Sequence, residues 1–241
     1  MVYTSLENSK IKELSKLKDK KMRDNSNLFL VEGEHLVNEA FKHGYLKTLI
    51  KLIGYNYDLK VETLEVNEKI LKNLSSLKNT PSLMGVCEKK HDQIKGDHLL
   101  ILDEIQDPGN LGTIIRSAVA FNIDTIILSK NTVDLYNEKV LRATQGLIFS
   151  INIVRYDLPK EIIALKKQNF KIYATKVNGG KTLKNIEKPA KFAIIMGNEG
   201  NGVSNSLLEL CDDYLYIPMN GKCESLNVGV ATSIILYELD K

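Results

Sequence analysis

There is no tryptophan among the 241 residues, and there are only three cysteines, five prolines and four histidines. Each shortage excludes something. Cys87, Cys211 and Cys223 are odd in number and widely spaced, and none belongs to a CxxC, so neither a disulfide scaffold nor a thiolate zinc site is a good reading. The histidines (His35, His43, His91 and His98) do not pair at ligand spacing, and no metal site is expected. His35 and His43 read as helix-surface residues. No apolar run approaches the ~20 residues of a membrane span. The opening MVYTSLENSKIKEL has no apolar h-region, so the expectation is a soluble, cytoplasmic protein with no membrane partner.

A large excess of one charge is missing too: 33 basic residues stand against 30 acidic ones. The small net charge of +3 is unevenly spread, however. Residues 1–95 carry 17 Lys/Arg and 13 Asp/Glu, and Lys10 to Arg23 alone holds seven basic and two acidic residues. A basic arm on a near-neutral body points to a polyanion partner, and a solvated lysine-rich helix face accounts for the same composition. With 43% apolar and 26% charged residues the chain is of globular type, long enough for one large or two modest domains.

The first 95 residues read as a small α/β unit. Ile11, Leu14 and Leu17 share one helix face. FLVEG, TLIKLI and LMGVCEK read as strands, Gly44 ends a helix, and Asn67 caps a short helix running to Leu74. The polar stretch Lys89 to His98 marks the boundary. From Leu99 the pattern becomes regular β–α alternation: strands LLILDEI, DTIIL, Ile151–Val154, KIYAT, FAIIM and YLYIP, and helices Leu111–Phe121, Leu135–Gln145 and Pro159–Gln168. Short apolar strands between helices mean a parallel sheet covered on both faces. The expected division is 1–95 and 96–241.

Ligands of such sheets bind beyond the carboxyl ends of the strands, and three loops there are unusual. In DPGNLGTIIR, Asn110 comes just before the helix, and Arg116 lies roughly 130° from the buried stripe of Leu111, Ile114, Ile115, Ala118 and Val119 at about 100° per residue. An N-cap asparagine and a surface arginine are the plain alternative. GNEGNGVS lets the backbone approach a ligand, and Glu199 within it has no packing role. It matches neither a Walker loop nor GxGxxG. In IPMNGKCESLNVGVA, Ser225 or Asn227 could cap the last helix, which leaves Met219, Asn220 and Gly221 unexplained.

Together, N-x-G-x-x-x-R at Asn110–Arg116, GNEGNG, and IPMNGKCESLNVGVATSIILYE resemble the three motifs of the SpoU/TrmH family, the S-adenosylmethionine-dependent RNA ribose 2′-O-methyltransferases of the SPOUT superfamily. FLVEGEHLVNEAFKHG and TPSLMGV resemble the substrate-binding domain that commonly precedes that catalytic domain. Gln145 and Leu147 stand where small residues are more usual in the family, Asn122 where glycine is frequent, and Cys223 at a variable position. The resemblance implies a parallel-sheet SPOUT domain with a trefoil knot, preceded by a small α/β RNA-binding domain. It implies a homodimer paired through the last helix, which is apolar on most sides from Val228 to Leu239. It also implies methyl transfer to RNA, with large-subunit rRNA as the expected substrate and tRNA, or a non-catalytic RNA-binding role, as alternatives. By motif match, Gly197, Ile217, Met219 and Leu226 would line the adenosyl pocket. Asn110, Glu199, Ser225 and Asn227 would form the polar cluster around Arg116. In the family the matching arginine is proposed to help deprotonate the hydroxyl; a cationic arginine holding a phosphate and the developing alkoxide is the other role open to it. An oxidoreductase reading lacks its dinucleotide fingerprint, since the loop after Leu99–Ile105 is DPGNLG.

Overall fold

The structure is a computed structural model that describes residues 1–90, 93–177, 179–183, 186 and 189–240. His91 and Asp92, inside the boundary stretch, lie outside the described residues. The chain forms two compact units: Met1–Lys90 with Asp134–Phe149, and His91–Val133 with Ser150–Lys241. The segment Asp134–Phe149, sequence-adjacent to the second unit, therefore packs with the first.

In the first unit, β1 (Val2–Tyr3), β2 (Leu28–Glu32), β3 (Leu46–Leu52), β4 (Glu62–Val66) and β5 (Leu83–Glu88) make one sheet in the order β1-β4-β3-β5-β2. Its helices are α1 (Ser9–Lys16), α2 (Lys20–Ser26), α3 (Glu34–Lys42) and α4 (Glu68–Leu74). Asn8 caps α1 through Lys10 N, and Asn67 caps α4 through Ile70 N, as the sequence indicates for the latter. The stripe Ile11, Leu14 and Leu17 is buried against Leu64, Ile70 and Leu74.

The basic arm is only partly available to a partner. Arg23 is 5% exposed and donates to the carbonyls of Leu17 (2.8 Å) and Lys18 (2.7 Å) and to Asp134 (2.5 Å). Lys10 pairs with Glu62 and Lys12 with Glu7. Arg23 is thus a core residue, which corrects its inclusion in a solvent-facing basic surface: a guanidinium with three bonded acceptors is a cross-link, and its fork geometry suits that use.

In the second unit, β6 (His98–Leu102) is followed by α5 (Pro108–Ala120) and β7 (Thr125–Leu128). The chain then supplies α6 (Glu138–Ala143) and a 3-10 turn (Leu147–Phe149) to the first unit. It returns as β8 (Asn152–Arg155), α7 (Leu158–Lys167), β9 (Lys171–Thr175), β10 (Lys181–Thr182), β11 (Phe192–Met196), α8 (Asn205–Leu208), β12 (Asp213–Tyr216) and α9 (Val228–Asp240). The sheet order is β10-β12-β9-β11-β6-β7-β8, with every pairing parallel. Leu99, Ile101, Ile127, Ile172 and Ile195 centre one core layer. All strands point one way, so the loops after β6, β11 and β12 emerge at the same edge.

Helix α5 begins three residues before the expected Leu111. Asp107 is its N-cap, accepting from Asn110 N at 2.8 Å, and Pro108 occupies the first turn, where a missing N–H costs nothing. Asn110 is therefore not a cap and stands inside the first turn. Asn122 adopts a left-handed conformation (φ +55°) and donates to Asp240 at the end of α9.

Candidate active site

Strands β6 and β11 are neighbours, so the loops that follow them meet directly. The glycine loop folds back on itself: Asn198 and Gly202 exchange backbone hydrogen bonds of 3.0 and 2.9 Å. Gly197 is compelled by this closure. A Cβ there would lie 2.0 Å from the Gly202 carbonyl carbon and 2.1 Å from Val203 N. At the exit of the loop, Ser204 N donates to the buried carboxylate of Asp103 at 2.8 Å.

Glu199 reaches across to the first loop. Its Oε1 accepts from Asp107 N (3.0 Å) and Asn110 Nδ2 (3.0 Å), and Gln106 N donates to Oε2 at 3.2 Å. Burial works to raise its pKa, but the hydrogen bonds from Asn110, Asp107 and Gln106 outweigh that effect and hold the carboxyl below its usual range. Glu199 is thus an ionised acceptor whose lone pairs are already used, a poor general base and a good anchor.

From Asn110 the network continues. Asn110 Oδ1 accepts from Asn227 Nδ2 at 2.8 Å, and Asn227 Oδ1 caps α9 through Gly229 N (2.9 Å) and Val230 N (3.3 Å). Asn227 is therefore the helix cap, as one of its two sequence readings has it, and also the link to the first loop. Helix α9 lies against α5, where Ser117 and Ser233 hydroxyls meet at 2.7 Å and Gly229 abuts Thr113. Since β12 lies beyond β9 in the sheet, residues 217–227 must return across the strand ends to reach α5.

Beneath that return lies a cavity of about 830 Å³, within the usual range for a small-molecule site. Gly197, Ile217, Met219 and Leu226 line it, as do Asn110, Glu199, Ser225 and Asn227. Arg116 does not. It is exposed on α5, about 60° around the helix from Thr113 at about 100° per residue, and makes no hydrogen bond or ion pair among the described residues. Ser225 is exposed, and its hydroxyl is likewise uncommitted. The cavity suits an adenosyl sulfonium: Ile217, Met219 and Leu226 offer an apolar wall, Gly197 brings bare backbone close, and Glu199 supplies negative charge. Sequence reasoning missed Asp103, Gln106, Asp107 and Asn198, which hold the loops together. Asp107–Pro108 carried a readable cap signal; the others act through partners some ninety or more positions away.

Residues 97–237 match the model of the SpoU rRNA Methylase family, and residues 8–85 match the MRM3-like substrate binding domain. The 23S rRNA (guanosine(2553)-2′-O)-methyltransferase RlmP of Bacillus subtilis is 38% identical over 98% of this chain and 97% of its own. An AdoMet-bound rRNA methyltransferase from Sinorhizobium meliloti superposes with a TM-score of 0.87 at 31% identity, covering 99% of this chain and 97% of that one. The SpoU methyltransferase AviRb from Streptomyces viridochromogenes, solved with AdoMet, gives 0.87 at 26% identity and covers 97% of each chain.

Proposed function

We propose that the chain, which belongs to the SpoU rRNA methylase family, methylates a ribose 2′-hydroxyl of large-subunit ribosomal RNA. It is an S-adenosylmethionine-dependent methyltransferase. The observation that carries the reading is the cavity under residues 217–227, walled by the glycine loop and bordered by the hydrogen-bonded chain Glu199–Asn110–Asn227.

Gly197, Ile217, Met219 and Leu226 hold the methyl donor. Bound there, S-adenosylmethionine supplies a methyl group on a sulfonium, already a good leaving group, so alignment and charge stabilisation are what the protein must add. Asn110, Glu199 and Asn227 fix the loops that border the acceptor. Ser225, whose hydroxyl stands at the cavity wall, orients the ribose. Arg116 acts as a cation. Its exposed guanidinium holds the phosphate beside the ribose and stabilises the forming alkoxide.

The first unit supplies RNA affinity, and the enzyme works in the cytoplasm. The chain pairs as a homodimer through α9, which buries Gly229, Thr232, Ile235 and Leu236 yet leaves Val230 and Tyr237 about half exposed. The return of residues 217–227 across the strand ends is read as the trefoil threading. The decisive experiment maps ribose methylation in cellular RNA with and without the gene. Loss of a single 2′-O-methyl in 23S rRNA is expected. A loss confined to tRNA would overturn the substrate, and an unchanged map would favour a non-catalytic role.

A further inference from the structure

Asn198 has no role in the motif reading, yet every polar atom of its side chain is engaged. Oδ1 accepts from Gly200 N (2.9 Å) and Asn201 N (3.1 Å), closing the glycine turn from within. Nδ2 reaches out of the loop to the carbonyl of Glu104 at 2.8 Å. Glu104 is held in turn. It sits in the left-handed region (φ +57°), uncommon for a residue with a Cβ, and its N–H donates to Ser129 Oγ at 2.9 Å. Its carboxylate accepts from Asn131 Nδ2 at 2.7 Å.

Two residues further along, Gln106 and Asp107 begin the N–H groups that grip Glu199. The glycine loop is thus joined to the β6 exit by two adjacent rungs of opposite sense. Asn198 donates in the first and Glu199 accepts in the second. Slippage of the first misaligns the second, and with it Asn110.

We propose that Asn198 is a positioning residue for methyl transfer: its amide sets the register of the glycine loop on the β6 exit, so that Glu199 holds Asn110 in place. The inference rests on Asn110 and Glu199 bordering the acceptor side of the site. It separates two tasks of one side chain. Aspartate keeps the oxygen that closes the turn, but loses the donor and turns a negative charge toward the Glu104 carbonyl. Alanine loses both.

The test compares N198D and N198A with the parent enzyme by three measurements: amide exchange at Gln106 and Asp107, S-adenosylmethionine affinity by calorimetry, and kcat for tritium transfer to unmodified 23S rRNA. In N198D the two amides should exchange about tenfold faster and kcat should fall at least about fivefold, the scale of one lost hydrogen bond. Donor affinity should stay within about twofold. N198A should lose affinity as well. Parent-like exchange in N198D overturns the proposal, as does faster exchange with an unchanged kcat, or an equal loss of affinity in both variants. If the parent does not methylate 23S rRNA, the substrate reading fails by itself, and exchange at Gln106 and Asp107 still decides the role of Asn198.

Discussion

Gly197→Ala is the sharpest perturbation available at the donor pocket. The added methyl would sit 2.0 Å from the Gly202 carbonyl carbon, 2.1 Å from Val203 N and 2.4 Å from the Gly202 oxygen. All three are backbone atoms, so no side chain can rotate away, and the two arms of the loop must part by more than an ångström. Parting them breaks both Asn198–Gly202 hydrogen bonds (3.0 and 2.9 Å) and pulls Ser204 N from Asp103 (2.8 Å). At about 1 kcal/mol each, three hydrogen bonds amount to about 3 kcal/mol, or roughly a hundredfold in donor affinity if the closed loop is required for binding. The β6–β11 pairing and the core behind it are untouched, so the thermal midpoint should fall by no more than about 6–12 °C, the scale of about 3 kcal/mol in a chain of this size. Isothermal calorimetry with S-adenosylmethionine measures the first quantity and thermal unfolding the second. Gly221→Ala is the matched control, because a Cβ there meets nothing within 4 Å. A Gly197→Ala protein that binds the donor within about threefold of the parent would refute the argument that loop closure forms the pocket.

Other consequences follow from the same geometry. Arg116→Ala should abolish methyl transfer while donor affinity remains near the parent value, since Arg116 lies outside the cavity wall; substantial residual turnover would remove it from the mechanism. Glu199 has a depressed folded pKa, so its contribution is present above the unfolded glutamate value, about 4.3, and is lost as pH falls through the lower folded value. The stability gap between the parent and Glu199→Gln, measured by urea unfolding, should therefore be constant from pH 7 to 5 and shrink only in more acid solution. Asp134→Ala strands the buried Arg23 guanidinium and should destabilise the first unit by about 3–5 kcal/mol in urea unfolding, whereas an effect under 1 kcal/mol would show the pair to be dispensable. A fragment of residues 96–241 should aggregate in light scattering: it retains Leu135, Val140, Leu141, Ile148 and Phe149, all buried in the first unit, without their neighbours, at about 1.5–3 kcal/mol per side chain uncovered. A monodisperse, folded fragment would contradict that packing.

The parts legible in the sequence are those that local chemistry dictates. FAIIM is apolar throughout, and DTIIL in its last three residues, because both sheet faces are covered, and β11 and β7 lie where those runs stand. The three loops could be found because glycine clusters and isolated polar residues have no packing explanation. What escaped depends on distance along the chain or on a weak local pattern. Strand β4 (ETLEV) carries two glutamates among its five residues and lacks an apolar run, and β1 is two residues long. The helical period around Val140 and Leu141 reveals a helix but not which core receives it; Phe149, stacked on Phe29 at 6.4 Å and beside Tyr45 at 5.0 Å, answers that only in three dimensions. Counting charge along Lys10–Arg23 likewise could not separate Arg23, bound to Asp134, from Lys16, Lys20 and Lys21, which are exposed and make no ion pair among the described residues.

The five polar residues singled out by motif divide once their partners are known. Asn110, Glu199 and Asn227 come from three separate segments, and they spend their hydrogen-bonding capacity largely on one another and on nearby backbone. Such a network is stiff because each member fixes the next, and losing one member loosens all three loops together. Substitutions there should lower methyl transfer, because they move the loops that border the acceptor. Ser225 and Arg116 are the opposite case, a hydroxyl on the cavity wall and a cation outside it that have no hydrogen-bond partner among the described residues. Groups left without a partner in a site otherwise so fully bonded are the ones free to meet a substrate, and a hydroxyl and a guanidinium are what a ribose and its adjacent phosphate require. On the proposed reading, the frame fixes the loops around the site and these two groups meet the RNA.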